Sequence, residues 1–458
     1  MLTEKLARFV IETPAVPAPV LDAAALAFAD ALACGLAGSL DEASEIALAW
    51  VRETGGRAEC SVWGSTVRTS AAEAALANGT FVHALDFDDT LATQRGHPSS
   101  TMVPVAIAVG EKTGASGRDA LTAYAVGVEI AGVIGRALGN GHYLSGWHPT
   151  ATAGIFAATA VAARLFKLDV PKLCAAWGIA ASQAAGLTRN FGTMTKPFHA
   201  GLAARSAVMS AWLAGRGFTA DTAILDGKGG FISTYAGKDA LPLADLVDEP
   251  GTRWALLQPG INYKRWPCCS CNHRAIGGLL EMLVQHDIAT SEIGEVAVGF
   301  PPGADDALKY DDPLTGAQGK FSIQYSVAAT LLDRKIGLET YTDPMLHRPE
   351  VRALMKKVRR YKIADDRVYS GTVGYTDVEI VTAGGAYKRR IDRSPGSTEW
   401  PMSRADHEGK FLDCAGRALG DQGAQQLFEL ALGCNELRTV GELARATVPS
   451  ARTVVAST

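Results

Sequence analysis

A chain of 458 residues is too long for one hydrophobic core and predicts two or three domains. Apolar residues at 47% with charged residues at 20% exclude a mainly disordered chain. The net charge of −4 supplies no long-range attraction for nucleic acid or an anionic membrane, so an anionic ligand must be held by local cations.

The N-terminal Met1-Leu2-Thr3-Glu4-Lys5 lacks the charged-then-apolar layout of a signal peptide. Eight cysteines stand mostly apart within helical patterns, so reduced thiols and a cytoplasmic location are the expectation. Helical patterns then succeed one another through roughly residue 260: Leu6, Phe9 and Val10 on one face, Asp22 to Leu36, and Glu42 to Arg52 closed by Gly55-Gly56. Ser70-Ala71-Ala72-Glu73 reads as a capping box opening a helix toward Leu85. Further helices fit Arg118 to Leu138, Thr150 to Phe166, Val170 to Gly186 and Pro197 to Gly215. The apolar stretch Ala151 to Phe166 carries Arg164 and small side chains, which suits a buried helix and not a membrane span.

After about residue 270 the pattern changes. Val296, Val298 and Phe300 alternate as in a half-buried strand, and Tyr375 to Val381 with Ala386 to Ile391 read as a hairpin around Gly384-Gly385. Amphipathic helices are predicted for Phe321 to Asp333 and Pro349 to Tyr361, the latter carrying a solvated basic run, Lys356 to Arg360. Helical periodicity returns after Pro395-Gly396. The predicted fold is mostly α: a large all-helical domain formed by residues 1–267 and 398–458, interrupted by a smaller α+β lid domain at 268–397.

Three segments place a titratable residue directly before a proline that opens a helical pattern: His97-Pro98, His148-Pro149 and Lys196-Pro197. At a helix N-terminus the dipole favours anions and disfavours imidazolium, so neutral, proton-accepting histidines beside a carboxylate-binding cage are predicted. Ahead of the first segment, the spacing of His83, Asp86 and Thr90 puts them on one face if the helix continues. Asp88 and Asp89 are expected as capping or solvated aspartates. Asp86-Phe87-Asp88-Asp89-Thr90 also fits the Asp-x-Asp-x-Thr pattern of aspartate-nucleophile phosphatases, which requires a preceding strand where this sequence predicts a helix. Cys268-Cys269-Ser270-Cys271-Asn272-His273 has the residue types of a metal site but not its spacing, so no metal is expected there. Asp226-Gly227-Lys228-Gly229-Gly230 lacks the order of a phosphate loop, so no nucleotide cofactor is expected.

The phrases His83 to Thr90, Gly96-His97-Pro98-Ser99, Gly146-Trp147-His148-Pro149-Thr150, Gly192-Thr193-Met194-Thr195-Lys196-Pro197, Lys264 with Trp266-Pro267-Cys268-Cys269, and Phe321-Ser322-Ile323-Gln324-Tyr325 occur in an order that resembles the MmgE/PrpD family. That family includes 2-methylcitrate dehydratases, cis-aconitate decarboxylases and iminodisuccinate epimerases. The resemblance implies a mostly helical domain with an α+β lid, a homodimer, no cofactor, and a small polycarboxylate substrate bound between the two parts. It implies active-site roles for Asp86, His97, His148 and Lys196, with Thr90, Lys264 and Tyr325 binding substrate. Cys269 stands where the decarboxylases carry a catalytic histidine, which counts against decarboxylation. Arg95 to Ser100, Gly141-His142-Tyr143, Asn190 to Pro197 and Asn272-His273 look closer to the epimerases.

The expected chemistry is therefore abstraction of a Cα proton from a di- or tricarboxylate, first as a 2-methylcitrate dehydratase-like lyase. An epimerase, a decarboxylase and a carboxylate-binding protein without catalysis are the alternatives.

Overall fold

The computed structural model describes residues 1–237, 239–369 and 373–449, so residues 450–458 of the expected C-terminal helical part lie outside the described residues. The fold is mostly α, with small sheets. The chain divides into two units: one from Met1–Leu187, Lys196–Ile261 and the chain from Ser403 on, the other from Thr188–Thr195 and Asn262–Met402.

The first unit is helical except for a two-stranded antiparallel sheet, Cys60–Ser61 with Arg68–Thr69, so it departs from the all-helical domain expected. Ala18–Gly38 is nearly wrapped by neighbours, chiefly Arg404–Leu432 and Ala71–Ala84, because its alanines and glycines let other backbones approach from several sides. Ala18–Gly38 and Gly117–Leu144 are long and apolar enough to cross a membrane by length and composition, yet 83% and 94% of their apolar windows are buried inside the chain, as in core helices. Ala71–Ala84 starts at Ser70, whose hydroxyl accepts from the Glu73 amide. The Glu73 carboxylate turns instead to Arg205 at 2.7 Å, so only half of the predicted capping box forms. The predicted helix from Thr150 breaks at Ala153 into Pro149–Thr152 and Gly154–Leu165.

Two of these helices, Ala71–Ala84 and Thr195–Gly215, touch backbone to backbone. A Cβ on Gly201, in Thr195–Gly215, would lie 2.3 Å from the Leu76 carbonyl oxygen and from Thr80 Oγ1. A Cβ on Gly79 would lie 2.9 Å from Gly201 Cα. Only a glycine pair permits so close an approach, and the contact brings the start of one helix beside the end of the other.

The second unit carries a four-stranded sheet in the order Val358–Lys362, Ile293–Phe300, Thr376–Thr382, Gly385–Ile391. The last two strands form the predicted hairpin, in register from Thr376 opposite Ile391 to Thr382 opposite Gly385. Ser270–Gln285 packs on Ile323–Asp333 and on the hairpin strands. The helix predicted from Pro349 ends at Met355, and Val358–Lys362 is a strand running parallel to Ile293–Phe300. The partner strand decides this: Val358 to Lys362 pair residue for residue with Val296 to Phe300, while Arg359 reaches Glu295 and Arg360 reaches Asp311. The basic run is thus split between a helix end and a strand.

Candidate active site

The site grows from the end of Ala71–Ala84. That helix stops one residue past His83, and Asp86 adopts a φ of 52°, a left-handed conformation unusual for a residue with a side chain. The predicted helical face of His83, Asp86 and Thr90 is therefore replaced by a turn, which aims the carboxylates of Asp86 and Asp88 back toward the helix end. A helix, not a strand, precedes Asp86, so the phosphatase pattern lacks its scaffold. Asp88 and Asp89 are not solvated: both are fully buried. Asp89 accepts from the Ser99 amide at 3.3 Å and from the Ser99 hydroxyl, which ties the turn to the start of Pro98–Thr113. Burial and the neighbouring Asp30 push the Asp89 carboxyl well above the usual range, against the Ser99 hydrogen bonds.

His97 and His148 are the N-cap residues of Pro98–Thr113 and Pro149–Thr152, with nearly equal backbone angles (φ −107°, ψ 93° and φ −99°, ψ 98°) and proline at the first helical position. Lys196 differs from the expectation. It lies inside the first turn of Thr195–Gly215, buried, and not ahead of the helix. The His97 amide donates to Thr150 Oγ1 at 3.1 Å, joining the two histidine segments.

These elements bring the side chains together. Lys196 Nζ donates to Asp86 Oδ1 at 2.6 Å and to His83 Nε2 at 2.7 Å. His83 Nδ1 is 2.9 Å from Asp88. A carboxylate only accepts, so the His83 hydrogen is on Nδ1 and its Nε2 lone pair faces the ammonium. His97 Nδ1 lies 3.2 Å from the same Asp88, and its ring centre is 4.4 Å from that of His83. His148 stacks 5.7 Å from His83 and meets His199, Nδ1 to Nδ1, at 3.1 Å. Thr90 Oγ1 is buried with no hydrogen-bond partner among the described residues.

The electrostatics favour neutral rings. Burial lowers His83 to about 3 despite the pull of Asp88. Burial, then the Lys196 charge, holds His148 well below its ordinary value and His199 at about 4. Burial opposes ionisation of Asp88, but His83 and His97 outweigh it and hold that carboxyl low. His83, Asp86, Asp88 and His97 each bring one metal-ligating atom within 4.8 Å of the others. Two of the four are already committed to Lys196, a cation supplied by the chain itself.

Asp86, Thr90, His97, His148 and Lys196 thus belong to one unit, and the first and last three form one cluster. Lys264 and Tyr325 belong to the other unit, both buried. The Tyr325 hydroxyl donates to the Thr340 carbonyl, and burial raises its phenol pKa. Cys268, Cys269 and Cys271 are buried residues of that unit. Sequence reasoning grouped His83 with Asp86 and Thr90 but gave it no role, and it missed Asp88 and His199 as members of the cluster. The signal for His199 was present: it follows Lys196 by three residues, on the same helix face.

The MmgE/PrpD N-terminal domain profile matches residues 4–244, and the MmgE/PrpD C-terminal domain profile matches residues 266–433. The chain is similar to the cis-aconitate decarboxylase of Homo sapiens, with 28% identity over 89% of this chain and 86% of that protein. It is also similar to the cis-aconitate decarboxylase of Mus musculus, with 28% identity over 91% and 86%. The cis-aconitate decarboxylase of Aspergillus terreus shares 25% identity over 94% of this chain and 92% of its own length. With both domain profiles in order along the chain and a buried acid–base cluster on the motifs that first suggested it, this protein belongs to the MmgE/PrpD family and is an enzyme of that family.

Proposed function

We propose that this enzyme moves a proton at the carbon next to a carboxylate of a small di- or tricarboxylate. The observation that carries the reading is the buried Lys196 ammonium, hydrogen-bonded to His83 and Asp86 beside His97 and His148. Loss of a Cα proton places a second negative charge on the adjoining carboxylate, and a buried cation stabilises that charge more strongly than water does. Neutral imidazoles near pH 7 are suited to take and return the proton.

In this scheme Lys196 holds the reacting carboxylate, His97 and His148 exchange protons, and Asp86 orients Lys196 and shares the proton load. The Thr90 hydroxyl donates to substrate. Asp86, on Lys196, and Asp88, on His83 and His97, put two carboxylates in a cluster with one ammonium, so an anionic substrate needs a further cation. Lys264 is the one the family resemblance supplies, and Tyr325 enters as the second substrate-binding residue on the same ground. The resemblance also implies a homodimer as the working form.

The first form of the reaction is a lyase step on a 2-methylcitrate-like hydroxy acid. One group takes the α-proton, another protonates the departing hydroxyl, and water leaves as the double bond forms. A second form is decarboxylation of cis-aconitate, favoured by the names of the similar proteins. There the carbon–carbon bond breaks, carbon dioxide departs and a proton is delivered to carbon; Cys269 in place of a histidine counts against it. Epimerisation of iminodisuccinate is supported by the phrases around His97, His142 and Lys196.

The test is a panel of 2-methylcitrate, cis-aconitate and iminodisuccinate in deuterated water, followed by NMR. Conversion of one of them with solvent deuterium appearing next to a carboxylate is expected. Tight binding of citrate-like ligands with no exchange and no product would leave a carboxylate-binding protein instead.

A further inference from the structure

His199 has no part in the proposed proton transfer, yet its Nδ1 is at hydrogen-bond distance from Nδ1 of His148, 3.1 Å. Both rings are buried. A neutral imidazole carries one ring hydrogen, so two Nδ1 atoms in contact share a single hydrogen. The partners are then complementary tautomers, one Nδ1–H and the other Nε2–H. Gly186 fixes the arrangement from both sides. Its carbonyl accepts from the His148 amide at 3.0 Å, and a Cβ there would lie 3.3 Å from His199 Cγ and Nδ1. With φ at +127°, position 186 strongly favours glycine.

We propose that His199 is a positioning residue that couples the ring hydrogen of His148 to its own, so that His148 Nε2 is a proton acceptor in one tautomer and a hydrogen-bond donor in the other. This rests on the reading of His148 as a proton-transfer group. With the hydrogen on His148 Nδ1, its Nε2 presents a lone pair and takes the substrate proton, while His199 Nδ1 accepts a hydrogen bond from the imidazolium that forms. The imidazolium then returns that proton from Nε2. With the hydrogen on His199 Nδ1 instead, His148 carries its own on Nε2 and offers it as a hydrogen bond to a substrate oxygen without giving it up. A carboxylate in the place of His199 would only accept, and would keep the His148 hydrogen on Nδ1 throughout. An imidazole permits both tautomers, so His148 can meet the substrate with either a lone pair or an N–H at Nε2.

NMR of the ring nitrogens in the full chain labelled at histidine, without substrate, reads the tautomers directly. The rings are assigned with His148 and His199 variants. A complementary pair is expected near pH 7; two Nε2–H rings, or no hydrogen shared between the Nδ1 atoms, would overturn the proposal. The kinetic arm uses whichever polycarboxylate is turned over. His199→Phe should lower kcat by about 10–100-fold, the scale of losing a partner that orients a working imidazole, with KM little changed. His199→Asn, whose amide donates or accepts at the Nδ1 position, should recover most of that loss. A folded His199→Phe with wild-type kcat, or an Asn variant as slow as Phe, sinks the idea. If the tautomer pair is seen but no polycarboxylate reacts, the proposed function fails while the pairing stands on the NMR result.

Discussion

Among the described residues, the helical unit buries two lysine–aspartate pairs of equal length, and their surroundings differ. Lys196 Nζ and Lys410 Nζ each lie 2.6 Å from an aspartate Oδ1, of Asp86 and Asp30 respectively. Lys410 finds fixed partners. It donates to the Phe87 carbonyl at 2.8 Å and lies 4.1 Å from the centre of the Phe87 ring, with Cys34 and Cys414 close by. Burial works against its charge, but Asp30 outweighs that and raises its pKa. Lys196 shares its hydrogens with the lone pair of His83, whose ring lies against those of His97 and His148. A buried ion pair closed by backbone and apolar groups pins a fold; one closed by titratable groups is poised for chemistry. The two are linked, since Phe87, held by Lys410, is the residue between Asp86 and Asp88.

Breaking each pair should separate these roles. The largest effect is expected at Lys410→Met, which leaves Asp30 buried without its cation and should cost about 3–5 kcal/mol of stability. Urea unfolding checks it, and a loss under about 1 kcal/mol would refute the structural assignment. Its kcat, measured on the folded fraction, should suffer far less than that of a Lys196 variant. Lys196→Ala should reduce turnover by about a hundredfold or more, the scale of one electrostatic stabiliser. Because Lys196 is buried against Asp86, some stability should also be lost, contrary to the expectation for a residue lying ahead of a helix. Near-native turnover would remove Lys196 from the chemistry.

The smallest effect is the response to acid. Burial lowers His83 to about 3 and His142 and His199 to about 4, while the unfolded chain binds those protons near 6.5. Between about pH 6.5 and 4 the unfolded state therefore holds more protons, and the stability these rings contribute, complete above pH 6.5, is lost as pH falls. Asp89, raised by burial, pulls the other way on the acid side, so the loss is net of that opposition. Urea midpoints should be lower at pH 5 than at pH 7, and the Lys410 variant should keep the same slope because the histidines produce it. Equal midpoints at the two pH values would contradict neutral buried rings.

The linear chain by itself determined the helical character, the hairpin and the two His-Pro helix starts, because each is written in short-range terms: periodicity, a turn dipeptide, a proline at the first helical position. It also carried the family, whose phrases lie at Asp86, His97, His148 and Lys196. Local pattern failed at Pro349 to Tyr361, where a strand partner at Ile293–Phe300 overrode helical spacing after Met355. It failed too at Asp88, which looks like any solvated aspartate until two imidazoles are seen to close over it. Only the tertiary structure decided that His83 and His199 join the cluster. Their neighbours are 113 and 51 residues away along the chain, and the contact between Gly79 and Gly201 that unites two helices leaves no periodic trace in either one.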